Sequence, residues 1–205
     1  MPTRTMVFKH AGGRWPTHEE LDFQLSEVER ETGLAFDYEG SELEAGGEPA
    51  AHYWDEVSGD HGSVQYALDD YFGLAYAAIE LDDEETLEAV ARSLAEKLPV
   101  YTVGELSERA AGKSAGFGDL FALALGRGGP FDQELFDLVT RALRHRTIEK
   151  RREAAAAAAV LCWPEFEGPL GRALAAEKEE TTAGVIAAAL RSCGAESVEG
   201  AEDSP

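Results

Sequence analysis

The residues with the greatest capacity for chemistry lie in one short segment, HYWDEVSGDH, at positions 52–61. Imidazoles and carboxylates in close proximity can bind a divalent cation. The spacing here matches no established ligand motif, however, and turns are commonly rich in Asp and His. The segment is therefore predicted to be a solvated hairpin turn, and a metal-dependent enzyme is the alternative. The ligands of that alternative would be His52, Asp55, Asp60 and His61.

Other catalytic patterns in the chain are incomplete. The GKS triplet at 112–114 matches the end of a phosphate-binding loop, but Ser107 stands where that loop requires its first glycine. The sequence has no Gly-x-Ser-x-Gly nucleophile motif. Its two cysteines, Cys162 and Cys193, are too few for a disulfide framework and are expected to be small buried apolar residues. The sequence thus predicts neither an enzyme nor a cofactor.

The formal net charge is −22, and the acidic residues are concentrated in the N-terminal half. Between Arg30 and Arg92 there are 17 Asp and Glu residues and no Lys or Arg. Such a field repels nucleic acid and anionic membranes and attracts basic proteins. The alternative is that the acidity only maintains solubility or reflects adaptation to salt, although that would acidify both halves alike. With no apolar leader or spanning segment recognised, a cytoplasmic protein is expected.

Aromatic residues are interspersed among these acids, a composition typical of a binding surface for a basic protein. The predicted contact residues are Tyr53, Trp54, Asp55, Glu56, Asp60, Asp69 and Asp70. In size and acidity the chain resembles the immunity proteins of bacterial toxin systems. That resemblance implies an inhibitor of a basic nuclease toxin, whose cleft must be positive to hold phosphate. We expect a monomer or small homo-oligomer that binds no nucleic acid directly.

One cluster of basic residues departs from the acidic composition and could serve as a nucleic-acid patch. Its members are Arg141, Arg144, His145, Arg146, Lys150, Arg151 and Arg152. The acidic remainder of the chain would oppose the approach of phosphate. We therefore expect these residues to cover a turn between helices and to pair with local Glu residues.

The C-terminal half contains an internal repeat. Residues 139–162 align without a gap over residues 170–193, so that Cys162 falls on Cys193. A fixed period of about thirty residues with two helical segments per unit is typical of an α-solenoid. The alanine run in REAAAAAAVLC and the Arg-rich helix start resemble HEAT-type repeats over about 131–194, which implies a curved surface for binding macromolecules. A generic HEAT-repeat scaffold is thus a further alternative, and Ala157 and Ala188 are expected at buried helix contacts.

The N-terminal half is predicted to be an acidic α+β domain spanning 1–104. A capping box at Thr17 and Glu20 marks the first helix, and Asp82 or Asp83 caps the second. Segments of strand composition surround these helices, giving a ferredoxin-like order if VYTV at 100–103 is a final strand. Residues 64–81 favour a hairpin over a single helix. HEAT-like helices would then occupy 105–194, and residues 195–205 would form a disordered acidic tail.

Overall fold

The computed structural model describes residues 1–43, 49–58, 62–112 and 115–194. The chain divides into two compact units, the first spanning Met1–Glu105 and the second beginning at Leu106. This boundary lies next to the division expected at residue 104. The expected tail at 195–205 lies outside the described residues. None of the helices in the described ranges is long and apolar enough to cross a bilayer.

The first unit is a five-stranded antiparallel sheet with two helices. Its elements are β1 (Thr3–Val7), α1 (His18–Thr32), β2 (Phe36–Leu43), β3 (Pro49–Glu56), β4 (Gly62–Asp69), β5 (Leu74–Leu81) and α2 (Glu84–Lys97). Strands β2 to β5 form a meander, and β1 pairs with β5, so the order across the sheet is β1-β5-β4-β3-β2. The predicted α+β class is therefore confirmed.

The ferredoxin-like order is wrong. All the strands after β1 lie between the two helices, and VYTV contributes only an isolated bridge between Val100 and Phe8. The hairpin at 64–81 is confirmed, since β4 and β5 pair from Gly62–Leu81 to Asp69–Leu74. The alternation of apolar residues in these strands identified a local pairing, whereas the strand order depends on contacts distant in sequence.

Local signals define both helices of the first unit. In α1 the Glu20 backbone N–H donates to the Thr17 hydroxyl, and the Thr17 N–H donates to the Glu20 carboxylate, so the capping box is confirmed. Gly33 ends this helix with φ of 82°, a left-handed conformation that glycine adopts without steric cost. Asp83 caps α2 by accepting from the Thr86 N–H.

The core of the first unit lies between the two helices and one face of the sheet. Trp54, Val64 and Ile79 contribute from the strands, and none of them is exposed. The helices contribute Leu21, Leu25, Val28, Leu87, Val90 and Leu94. Because side chains alternate along a strand, every second residue of β3, β4 and β5 points into this core and the others point to the opposite face.

The second unit is helical. Its elements are α3 (Val103–Ala111, which begins before the boundary), α4 (Asp119–Gly126), α5 (Gln133–Ala142), α6 (Ile148–Leu161), α7 (Glu167–Ala176) and α8 (Glu180–Gly194). Helix α5 packs against α6 and α7 against α8, while α6 also packs against both α4 and α8. The 31-residue offset found in the sequence thus aligns α6 with α8 and most of α5 with α7.

The alanine run lies in α6, the helix with neighbours on two sides. Ala154, Ala155, Ala157 and Ala158 are completely buried, which fits the close approach that small side chains permit. The expectation that Ala188 is also buried is wrong, since it is exposed. In α8 the buried residues follow one stripe through Ile186, Ala189 and Cys193. Within the described helices α8 is the last of the series and packs on one side only.

Candidate functional site

The candidate site is the sheet face of the first unit that points away from α1 and α2. Four of the predicted contact residues, Tyr53 to Glu56, occupy adjacent positions of β3, and the strand alternation places them on two opposite faces. Trp54 belongs to the core, is 0% exposed and donates its indole N–H to the Asp22 carboxylate at 2.8 Å. Tyr53 and Asp55 point to the opposite face, where Asp55 is exposed.

Two of the predicted contact residues are buried and therefore do not belong to an exposed binding surface. Trp54 is a core residue, and Glu56, on the same side of β3, is only 8% exposed. One oxygen of the Glu56 carboxylate accepts from the backbone and the hydroxyl of Ser58. The aromatic and acidic composition that suggested both residues does not distinguish the two faces of a strand.

The register of the strands brings further acids beside Asp55. Asp37 of β2 is directly opposite Asp55, Asp55 is opposite Ser63 of β4, and Ser63 is opposite Glu80 of β5. These residues form one row across four strands. We define the acidic face as Asp37, Glu42, Tyr53, Asp55, Gln65 and Glu80, all of which share this side of the sheet.

A hydrogen-bonded chain holds the aromatic residue of the acidic face in place. The Tyr53 hydroxyl donates to the Glu42 carboxylate at 2.9 Å, and the Gln65 amide donates to the Tyr53 oxygen at 3.3 Å. The hydrogen bond to Glu42 raises the pKa of Tyr53 above its ordinary value. Tyr53 is thus a neutral, oriented ring with carboxylates around it, and a rigid aromatic loses little entropy on binding.

The carboxylates of the acidic face have no cationic partner in the described ranges. Ion pairs of the first unit lie elsewhere, such as Lys97 with Glu31, which joins α2 to α1, and Arg14, which precedes α1, with Glu20. Asp37 and Asp55 are like charges on directly opposing strand positions, an arrangement that destabilises a sheet. A fold that keeps this repulsion and uses its cations elsewhere leaves a negative surface open to a positive ligand.

The remaining predicted contact residues lie at turns. Asp69 ends β4 and accepts from the Phe72 N–H at 2.8 Å, so its carboxylate shapes the turn to β5. Asp70 is exposed in the same turn and is followed by Tyr71, a residue that is 54% exposed. Asp60 lies outside the described residues. Sequence reasoning missed Asp37, Glu42 and Glu80, because only the pairing of four strands brings them beside Asp55.

The predicted metal ligands do not come together where the structure describes them. His52 and Asp55 are three positions apart on β3 and point to opposite faces. His52 is 5% exposed, and its Nδ1 shares a hydrogen bond with the Tyr38 hydroxyl at 3.0 Å. The other two members, Asp60 and His61, lie outside the described residues. Within the described ranges no three His, Cys, Asp or Glu side chains are grouped to hold a metal ion.

On the helix side, His52 lines a shallow cavity of about 560 Å³ together with Trp15, His18 and Tyr66. The Tyr66 hydroxyl donates to the Pro16 carbonyl, and burial raises the pKa of Tyr66 to about 12. Burial lowers the pKa of His52, and the adjacent His18 lowers it further. Among the polar groups of this cavity, Tyr66 thus anchors the segment that precedes α1 through the Pro16 carbonyl.

No family model, curated protein or solved structure matches the chain.

Proposed function

We propose that this protein is a non-catalytic binding module whose acidic face binds a basic protein. The observation that carries the proposal is the row formed by Asp37, Asp55 and Glu80, three carboxylates aligned across the sheet beside the oriented ring of Tyr53. No ion pair within the described part of the chain neutralises them. Such a surface would attract cations over distances set by the ionic strength and would add an aromatic contact at short range.

A sheet face is suited to this role because its side chains are fixed by strand pairing. The Tyr53 hydrogen bonds to Glu42 and Gln65 limit the motion of the aromatic contact before the partner arrives. Preorganisation lowers the entropic cost of association, and complementary charge mainly raises its rate. Fast capture of a partner is the property required of an inhibitor that must neutralise a harmful enzyme.

The partner that best fits this chemistry is a nuclease of the toxin type. A nuclease cleft holds phosphates with Lys and Arg side chains, and carboxylates spaced along a strand row can occupy those positions. We therefore infer an immunity-type inhibitor that acts in the cytoplasm. The net charge of −22 supports this inference, since it opposes direct binding to nucleic acid.

For the second unit we infer two repeats of a HEAT-like array. The support is the 31-residue offset, which places α5 and α6 over α7 and α8. In such an array the inner helices pack side by side and carry the small residues, as α6 does. Under this proposal the second unit is a scaffold, and the acidic face of the first unit carries partner recognition.

The test compares two variants of equal charge. Asp37→Asn with Asp55→Asn removes two of the four charges of the acidic face, whereas Glu29→Gln with Glu96→Gln removes two charges from exposed positions on the helices. Each pair changes the net charge from −22 to −20 by removing two acids. Immobilised wild-type protein and both variants would capture basic proteins from a lysate, and the association rate of the captured protein would be measured from 50 mM to 500 mM salt.

We expect the association rate of wild-type protein to fall by about ten-fold or more over this salt range. The Asp37/Asp55 variant should lose most of this salt dependence, and the Glu29/Glu96 variant should keep it. Nuclease activity of the captured partner should be blocked by wild-type protein in a stoichiometric complex. Equal capture and equal salt dependence for the two variants would reject the acidic face as the binding surface. Binding that is indifferent to salt and maps to the second unit would favour the generic scaffold.

A further inference from the structure

A cavity of about 490 Å³ in the second unit is lined by four cationic side chains. Arg144 follows α5, Arg151 belongs to α6, Arg172 belongs to α7, and Lys178 lies between α7 and α8. One acid, Glu177, also lines it, so the lining carries a formal charge of 4 − 1 = +3. In a chain with 40 acidic and 18 basic residues, this local excess of positive charge is the reverse of the overall balance.

One of the four cations is fully committed to the protein itself. Arg151 donates to both oxygens of Glu177, at 2.6 and 2.9 Å, and its third nitrogen donates to the backbone carbonyls of His145 and Arg146. This hydrogen-bonded pair lowers the pKa of Glu177 to about 2. Glu177 thus stays ionised and is neutralised by Arg151, and it is poorly placed to neutralise the other three cations.

The other three cations, Arg144, Arg172 and Lys178, are exposed and form no ion pair within the described ranges. The basic cluster noticed in the sequence is therefore divided. Lys150 pairs with Glu153 and Arg152 pairs with Glu179, as expected for residues that stabilise a turn between helices. Arg144 forms no such pair and instead lines the cavity. Arg172 of α7 and Lys178, which follows α7, line the same cavity.

We propose that this cavity binds a small phosphorylated organic anion. A phosphate or diphosphate group carries two to three negative charges, which match the lining, and guanidinium groups donate to its oxygens in a charge-assisted manner. Leu143, Ala173 and Ala176 form the apolar part of the lining, where the organic body of the ligand would lie. The volume is within the range of about 300–1,000 Å³ that is usual for small-molecule sites.

The size of the ligand follows from the distribution of charge. Arg144, Arg172 and Lys178 converge on this cavity, and Arg144 also lines a neighbouring one with Arg141 and Arg146, while the chain as a whole is strongly acidic. A polyanion long enough to extend beyond these two cavities would meet repulsion from the acidic remainder of the chain, but a compact one would not. This site is separate from the acidic face, so its occupancy can be tested independently of any protein partner.

The experiment is isothermal titration calorimetry of the full chain at low salt. The probes are inorganic pyrophosphate, adenosine diphosphate, adenosine, hexaglutamate and a 20-base-pair DNA duplex. The variants are Arg144→Gln and Arg172→Gln. Arg191→Gln is the matched control because Arg191 is also an exposed, unpaired arginine of the second unit within the described part of the chain, and it does not line the cavity. Thermal unfolding of each variant verifies that the fold is retained.

We expect saturable binding of one pyrophosphate or adenosine diphosphate per chain and no binding of adenosine. Arg144→Gln and Arg172→Gln should each weaken binding by about ten-fold or more, and Arg191→Gln by less than about two-fold. Failure of wild-type protein to bind either phosphate probe would overturn the proposal, as would equal weakening by the control. Tighter binding of hexaglutamate or of the duplex, lost in Arg144→Gln, would also overturn it and would identify an acidic peptide or nucleic acid as the ligand.

Discussion

The imidazole rings of His18 and His52 lie face to face, with their centroids 3.8 Å apart and an angle of 10° between their planes. His52 is almost completely buried and shares a hydrogen bond with the Tyr38 hydroxyl. Burial lowers the pKa of His52, His18 lowers it further, and Glu19 acts in the opposite direction. His52 therefore resists protonation in the folded protein.

This arrangement predicts a loss of stability in mild acid. The unfolded chain protonates His52 near its ordinary pKa of about 6.5, whereas the folded protein does so only at lower pH. Protons then favour the unfolded state, so the contribution is complete above about pH 6.5 and is lost as the pH falls below that value. Urea denaturation between pH 5 and pH 8 measures this effect. Acids such as Glu20, whose pKa is lowered to about 2, add their own loss only in stronger acid.

The matched variant for this prediction is His18→Gln, which removes the imidazole whose electrostatic effect lowers the pKa of His52. The decline in stability between pH 6.5 and pH 5 should become shallower. His145→Gln, an exposed histidine in the second unit, should leave the decline unchanged. An identical pH profile for wild-type protein and His18→Gln would show that the stacked rings do not interact electrostatically.

A second prediction separates the core role of Trp54 from the surface role of Tyr53. Trp54→Phe removes the donor to Asp22 and part of a buried ring, so it should lower the free energy of unfolding by about 1–3 kcal/mol. It should leave the partner's association rate nearly unchanged. Tyr53→Ala should have the opposite profile, with a smaller stability change and a loss of affinity. Urea denaturation and binding kinetics of both variants test the assignment.

Much of the first unit could be predicted from the sequence because its signals are local. The capping box of Thr17 and Glu20, the Asp83 cap and the alternation in β4 and β5 each involve residues close together in the chain. The strand order could not, since β1 pairs with β5 across more than sixty residues of sequence. Composition alone cannot fix which distant strands become neighbours.

The candidate site was predicted only in part, because it also depends on which distant strands become neighbours. Tyr53 and Asp55 were recognised from the mixture of aromatic and acidic residues, and both belong to the acidic face. Trp54 and Glu56 were included wrongly, because a composition argument ignores the alternation of faces along β3. Asp37 and Glu80 were missed, since they join Asp55 only through the register of four strands.

A third prediction uses the two alanines that the repeat makes equivalent. Ala157 lies in α6 and is completely buried, whereas Ala188 in α8 is exposed. Ala157 is four residues after Glu153, which contacts α4, so the two share one helix face. Ala157→Leu should lower the free energy of unfolding by about 1–3 kcal/mol through overpacking. Ala188→Leu should change it by about 0.5 kcal/mol or less.

Urea denaturation of the two variants measures the change in the free energy of unfolding. Both variants carry the same Ala→Leu substitution, at positions that the 31-residue offset aligns. Equal destabilisation would mean that another element covers Ala188. Equal tolerance would mean that α4 does not pack closely on α6. The expected asymmetry follows from the position of α8 as the last helix of the described series, with one packed side instead of two.

The last prediction concerns Glu153, a completely buried carboxylate that caps a helix distant in sequence. Helix α4 begins after Gly118, which offers no side chain to its first turn. Glu153 of α6 takes that role, because its Oε1 accepts from the Leu120 N–H at 2.8 Å. Its Oε2 accepts from the Lys150 ammonium at 2.9 Å. The carboxylate thereby joins α4 to α6 and neutralises a cation in the same turn.

Glu153→Ala should lower the free energy of unfolding by about 2–4 kcal/mol, because it leaves the α4 terminus uncapped and the partly buried Lys150 without its carboxylate. Glu153→Gln should cost less, since the amide oxygen can still accept from Leu120 while the ion pair is lost. Glu165→Ala, at an exposed position of the second unit, should remain within about 0.5 kcal/mol of wild type. Urea denaturation at pH 7 ranks the three variants, and a cost for Glu153→Ala no greater than that of Glu165→Ala would contradict the capping role.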